Sequence, residues 1–280
     1  MLASLLLLSA LAVQSAEAES ALRTTLAEGD AAYARRAEGA VGSRAKPARI
    51  DQAIAAYRRG LLSNPESPEL RFKLMRALFF RASFCGATED ERSRIFEDAK
   101  GLGDDGIDRL ERSLGGPKGA VRSAALRQVP AAASLNFWTA VSWGEWALAR
   151  GKFAAARQGA GSRIRDLART VVDVDPELEQ GGGYRILGRL HDQSPRIPFL
   201  TGWISRHEAL ANLRMALALG PRNSVNQFFL AEAILNHDPA KREEARRLLT
   251  LCATSRPRDE YCVEDAYYAE LARQRLSDLR

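Results

Sequence analysis

Small and larger apolar positions recur along this chain with one fixed spacing. In three places a small residue is followed four positions on by Tyr or Leu, three further on by another small residue, and five further on by proline. The copies are Ala53, Tyr57, Gly60 and Pro65; Ala209, Leu213, Ala216 and Pro221; and Ala245, Leu249, Cys252 and Pro257. Residues three and four apart share one face of a helix. The small residues let a second helix come close, the larger one fills the groove between them, and the proline stops the hydrogen-bond ladder. Each copy therefore predicts the second helix of a helical hairpin. Matching first helices are visible too. Tyr184, Leu187, Gly188 and His191 form one, with Gly188 as the point of closest approach. Phe228, Phe229, Leu230, Ala231 and Ile234 form another more loosely, and Gly29 and Tyr33 mark a third.

This spacing resembles the tetratricopeptide repeat (TPR), a helix–turn–helix unit of about 34 residues. The rest of the chain reads the same way. Residues 19–65 form a first hairpin stretched by a loop around Arg35 to Lys46. Pro68 to Phe84 is one helix, and Thr88 opens another that runs to Leu114, with a weak point at Gly101 to Gly103. Leu114 to Pro117 is a break. Ala120 to Ala149 is helical with a kink or stop at Pro130, and Lys152 to Val174 is helical up to Asp175 and Pro176. The expected architecture is an all-α solenoid of about five degenerate TPR-like hairpins over residues 19–280, with a capping helix from Tyr261 to Leu279. Such folds present curved surfaces for binding rather than chemistry.

Ala, Leu and Arg are abundant and β-branched residues scarce, in keeping with an all-helical chain. Leu2 to Val13 is an apolar run too short to span a bilayer comfortably. Ala16, Glu17 and Ala18 follow it as a cleavage site of the A-x-A type, so residues 1–18 read as an export signal. The other reading is a short buried N-terminal helix. There are 41 Lys plus Arg against 35 Asp plus Glu, a formal charge of +6. The arginines alternate with acids, as in Arg242, Glu243, Glu244, Arg246 and Arg247, and read as solvated helix faces rather than a nucleic-acid stripe.

Candidate chemistry is sparse. Gly181, Gly182 and Gly183 precede a helix but lack the Lys-Ser/Thr of a phosphate loop, and read as a close-packed helix start. His191, His207 and His237 form no H-E-x-x-H pattern, and no nucleophile signature is present. No catalytic residue, metal site or cofactor is expected. Cys252 and Cys262 either form a disulfide that staples the last helix on or are two small core residues, and Cys85 is left without a partner. Trp138, Trp143 and Trp146 spread over roughly 140° of one helix and form either core or the lining of a ligand groove. Arg196 to Trp203 is unusually apolar for a loop; either it folds back or it presents Phe199 and Trp203 to a partner.

The run from Asp175 through Gly181-Gly182-Gly183-Tyr184-Arg185-Ile186-Leu187-Gly188, with Ser194-Pro195, Ala209 to Pro221 and Phe229 to Ala233, resembles the T component of TRAP transporters (TatT). The helix carrying Trp143-Gly144-Glu145-Trp146 fits it as well. The family's usual proline is replaced by Tyr184, and the apolar run is not followed by a lipoprotein cysteine. The resemblance implies a periplasmic protein that assembles with the solute-binding protein of an ATP-independent transporter, forms homotrimers and favours apolar solutes. The residues expected to meet a partner or ligand are Trp143, Trp146, Arg185, Phe199 and Trp203. The rival expectation is a general cell-envelope scaffold.

Overall fold

The computed structural model describes residues 19–116, 119–197, 199 and 201–279. The export signal expected at residues 1–18 lies outside them, as do Pro198 and Leu200 of the apolar insert. Among the described residues the chain is all-helical apart from one isolated bridge between Val41 and Arg44. No helix among them is long and apolar enough to cross a membrane.

Five hairpins follow one another. They pair α1 (19–34) with α2 (Pro47–Ser63), and α3 (Pro68–Phe84) with α4 (Glu89–Ser113). After the short α5 (Gly119–Arg127), α6 (Ala132–Arg150) and α8 (Ala160–Val174) make the third, with α7 (Lys152–Arg157) between them. The fourth is α9 (Gly182–Gln193) with α10 (Arg206–Leu219), and the fifth α11 (Ser224–His237) with α12 (Arg242–Thr254). The cap is α13 (Cys262–Asp278).

The three spaced triplets sit where the spacing puts them. Ala53, Tyr57, Ala209, Leu213, Ala216, Ala245 and Leu249 are fully buried, and Gly60 and Cys252 are buried beside them. Gly29 lies under the Tyr57 ring, where an added Cβ would come within 2.3 Å of the ring edge. Gly188 lies against Leu213 in the same way, at 2.5 Å from its Cγ. Two repeats thus use one device, a first-helix glycine seated against the large residue of the second helix.

Local rules explain most boundaries. Thr88 and Glu91 form a reciprocal capping box that opens α4 with three acids in its first turn. Ser67, Ser205 and Asn223 cap α3, α10 and α11 through their side chains. Pro130 separates α5 from α6 as expected. Two expectations need correction. The predicted helix from Lys152 to Val174 is broken at Gly159, which turns the chain at φ 78° between α7 and α8. The expected weak point at Gly101 to Gly103 does not break α4, because Gly103 is a contact point: a Cβ there would meet Thr139 at 2.7 Å.

The superhelix closes on itself. Residue Val263 of α13 joins the core shared by the first three hairpins, whereas Ala272 joins the core of the last two. Arg36, just past α1, pairs with Glu264 at 2.9 Å and also donates to the Glu260 carbonyl. Ser43 donates to Glu270 at 2.7 Å, and Phe84 meets Tyr267 edge-on at 5.6 Å. The cap therefore bridges the last hairpin to the first two.

Candidate functional site: a cavity inside the closed superhelix

Closure leaves a cavity of about 900 Å³. Its wall comes chiefly from the first helices of the hairpins, α1, α3, α6, α9 and α11, and from α13, with α7, α8 and Arg92 of α4 completing it. That size is typical of sites for small organic ligands. One part of the wall is aromatic and aliphatic, with Phe79, Trp138, Val141, Phe229 and Tyr268 among its side chains. Tyr268 packs on Phe228 and Phe229 at 5.7 and 5.8 Å, and Phe79 packs on Trp138 at 5.6 Å.

Guanidinium groups lie over these rings. Arg76 stacks on Tyr33 at 3.9 Å, Arg189 on Phe229 at 4.5 Å and Arg258 on Tyr261 at 4.4 Å. Burial pushes the Tyr33 hydroxyl up to about 12, so it stays a neutral phenol at physiological pH. The buried Tyr268 hydroxyl is raised for the same reason. Burial also holds the Glu145 carboxyl above the usual glutamate range, against the pull of Arg92 at 3.7 Å.

A turn of unusual backbone conformation faces this cavity. Glu179, Gln180 and Gly181 are all left-handed, with φ of 51°, 58° and 82°. For residues with a Cβ that conformation is disfavoured and persists only where neighbours impose it. Here Asn226 donates to the Gln180 carbonyl at 2.9 Å, and Asn223 and Arg258 donate to its side-chain oxygen at 3.2 and 2.9 Å. The turn sets the Glu179 carbonyl to accept from Arg185 at 3.1 Å. The triple glycine then seats α9 tightly: an added Cβ would meet the Ala216 Cα at 2.8 Å from Gly181, Phe137 at 2.5 Å from Gly182 and Val172 at 2.9 Å from Gly183.

Of the five residues expected to bind, Arg185 lines the cavity. Trp143 and Trp146 do not. They are buried between α6 and α4, where their indole nitrogens donate to Asp104 at 3.0 Å and Glu97 at 2.6 Å and Lys100 covers both rings. Trp138, on the same helix, is the one that turns inward. The apolar insert divides between its two readings. Its base folds back: Thr201 is buried, accepts from the Ile197 N–H at 2.8 Å and donates to the Pro195 carbonyl, and Trp203 is clamped between His191 at 5.3 Å and Arg165 at 4.6 Å. Phe199 at its tip is fully exposed.

The disulfide reading is not met in this structure: Cys85, Cys252 and Cys262 are all free thiols. Cys252 points to the Ser224 and Tyr268 carbonyls at 3.6 and 3.5 Å, inside the core of the last two hairpins. Cys262 packs against the other core, that of the first three. Burial raises the Cys85 and Cys252 thiols to about 11 and about 12, which leaves them protonated and unreactive. His191 is buried, accepts from the Ser205 N–H at 3.1 Å and is held below the usual histidine value by desolvation. No group of three or more metal-ligating side chains comes together among the described residues.

The sequence reading missed Tyr33 as a wall residue, and it missed Arg76, Phe79 and Tyr268 altogether. One signal was available for Arg76, a lone cation between Met75 and Ala77 on an otherwise apolar stretch of α3.

No protein-family model matches the chain, and no curated protein matches it. Among solved structures it is similar to the TPR2AB-domain:pHSP90-complex of yeast Sti1, with 14% identity over 92% of this chain and 98% of that one and a TM-score of 0.31. The hairpin architecture rests on the packing described above, not on that likeness.

Proposed function

We propose that this chain is a non-catalytic binding protein that holds an apolar organic molecule in its central cavity, and that it serves as a periplasmic accessory protein of a TRAP-type transporter by docking a solute-binding protein. The observation that carries the ligand reading is the aromatic wall of the partly open cavity. A solenoid that only scaffolds proteins needs an open concave face, whereas here α13 packs back towards the first hairpins and narrows that face to a partly open cavity with an aromatic stretch of wall. The transporter reading is supported by the resemblance of the stretch from Asp175 to Ala233 and by the export signal read at residues 1–18. The side chains most suited to chemistry lie outside the cavity wall: the Cys85 and Cys252 thiols are buried and protonated, and His191 is committed to packing.

A partner would meet the rim of the cavity. Phe199 at the tip of the insert is exposed next to the lining residues Pro195 and Thr201, and Leu148 and Phe153 are exposed at the junction of α6 and α7. Affinity capture with purified residues 19–280 from a periplasmic extract of the source organism tests this. The expected result is a solute-binding protein retained in near-equal amount and lost with Phe199→Ala, whose thermal stability stays at the wild-type value. Capture of envelope-assembly proteins alone would favour the scaffold reading, and capture of no solute-binding protein would contradict the transporter reading.

A further inference from the structure

One part of the cavity wall is a single short helix thick. The first helices that make most of the wall are each backed by the second helix of their own hairpin. The short α7 has no such backing. It packs chiefly on α6 and α8, the helices it joins in the chain. Lys152, Ala155 and Ala156 line the cavity from its inner side, while Phe153, Ala154 and Arg157 are exposed on its outer side.

Little holds α7 in place. Its buried side chains are two methyl groups, those of Ala155 and Ala156, and its one large apolar side chain, Phe153, is exposed. Its backbone bonds are local: the Ala155 N–H donates to the Gly151 carbonyl at 3.1 Å, Gln158 to Ala155 at 3.1 Å and Gly159 to Ala156 at 3.0 Å. Among the described residues its one side-chain hydrogen bond runs from Lys152 Nζ to Gln193 at the end of α9, 3.0 Å long and exposed. A segment with so few buried contacts opens at low cost. Gly151 and Gly159 flank it with φ of 88° and 78°, and nothing lies within 4 Å of a Cβ built on either. Packing therefore does not call for glycine at these two positions; the backbone conformation does.

We propose that α7 is a lid on the cavity. It swings outward as a unit on Gly151 and Gly159, opens a passage beside the end of α9, and is latched shut by the bond from Lys152 to Gln193. This rests on the reading of the cavity as a ligand site and adds the way in. The swing exposes two methyl groups and breaks one solvent-screened side-chain bond, and the local backbone bonds of α7 travel with it. Moving the larger wall helices costs more. An outward shift of α9 would part Gly188 from Leu213, and a shift of α6 would uncover Trp143 and Trp146. Lids of this kind gate the entry and release of a bound molecule without touching the affinity of the closed state.

Two measurements test the lid, the first without any ligand. In purified residues 19–280 the bonded amides of Ala155, Gln158 and Gly159 are expected to exchange with solvent together, at least about tenfold faster than amides in the middle of α6 and α8. Lys152→Met, which removes the latch, should speed them by about twofold more. For the second, a variant with both Lys152→Cys and Gln193→Cys is bridged with bis(maleimido)ethane, and wild type is carried through the same reagent to control for the native thiols. Stopped-flow fluorescence then follows entry and release of 11-(dansylamino)undecanoic acid. Bridging is expected to slow both rates at least about tenfold while Kd stays within about threefold of the unbridged variant. Exchange in α7 no faster than in α6, or rates that bridging leaves unchanged, overturns the lid but leaves the cavity as a ligand site. A probe that binds neither wild type nor the unbridged variant overturns the ligand reading, and the lid falls with it.

Discussion

Asp265→Ala lowers the unfolding free energy by about 3–5 kcal/mol, the cost of breaking a buried ion pair from one side. Asp265 is buried on α13 and gathers four donors: Ser224 Oγ at 2.5 Å, and from Arg258 the backbone N–H at 2.8 Å, Nε at 2.9 Å and Nη2 at 2.7 Å. Burial alone would raise its carboxyl, but the bonds from Arg258 and Ser224 outweigh burial and hold it below the usual aspartate value. A depressed carboxylate contributes stability above its unfolded value, near 3.9, and that contribution is lost as pH falls through the lower folded value. The deficit of the variant is therefore full at neutral pH and shrinks in acid. The same group fixes the site, because Arg258 also donates to Gln180, whose left-handed turn presents Glu179 to Arg185. Chemical denaturation at pH 7 and pH 3 measures both effects. A loss below about 1 kcal/mol at pH 7 would mean that the cap does not depend on this network.

The second large effect is a matter of sign. Gly101→Ala and Gly188→Ala make one substitution in the interior of two helices. At Gly101 nothing lies within 4 Å of the new Cβ, so the helix gains about 0.5–1 kcal/mol, as Gly-to-Ala changes do in open positions. At Gly188 the Cβ meets Leu213 Cγ at 2.5 Å and the Leu213 backbone N at 3.0 Å. Backbone cannot swing aside, so α9 and α10 must part, and overpacking of that kind costs about 1–3 kcal/mol despite the propensity gain. Thermal melts of the two variants should move in opposite directions. A stabilised Gly188→Ala would show that the repeat glycine is not a contact point.

How far the sequence carries follows from where each feature lives. The triplet of Ala209, Leu213 and Ala216 and its two counterparts were legible because a helix-helix contact is written within one helix, at spacings of three and four. The caps at Ser67, Thr88 and Asn223 are equally local. Gly159 was passed over as helix because glycine at the end of a short helix and glycine inside a longer one look alike until packing decides. The tryptophans show a deeper limit. Trp138 and Trp143 share a helix, yet one faces the cavity and the other faces Asp104 on α4. Helical spacing tells which residues share a face but not which neighbour that face meets.

Ring closure was not legible at all. Its contacts join Arg36 to Glu264 and Phe84 to Tyr267, residues from opposite ends of the chain with nothing in their local pattern to mark them as partners. The cavity inherits that. Its wall takes a few side chains from each of nine helices, and none of those helices carries a motif for it. Arg185 was reached through the glycine-rich run beside it, whereas Arg76 becomes meaningful only when Tyr33 is placed beneath it.

The central claim is that the interior of the closed superhelix is the binding site. Gly144 gives direct access to it. It lies on α6 in the cavity wall, and an added Cβ meets nothing within 4 Å. Gly144→Phe therefore places a ring in the cavity without disturbing the helix, whose intrinsic propensity improves. The decisive measurement is a titration of wild type and Gly144→Phe with 11-(dansylamino)undecanoic acid, alongside a thermal melt of each. The account predicts saturable one-to-one binding by wild type, weakening of at least about tenfold in the variant, and a melting temperature equal to or above that of wild type. Undiminished binding by a folded Gly144→Phe would contradict it, since the ligand would then sit somewhere other than the cavity.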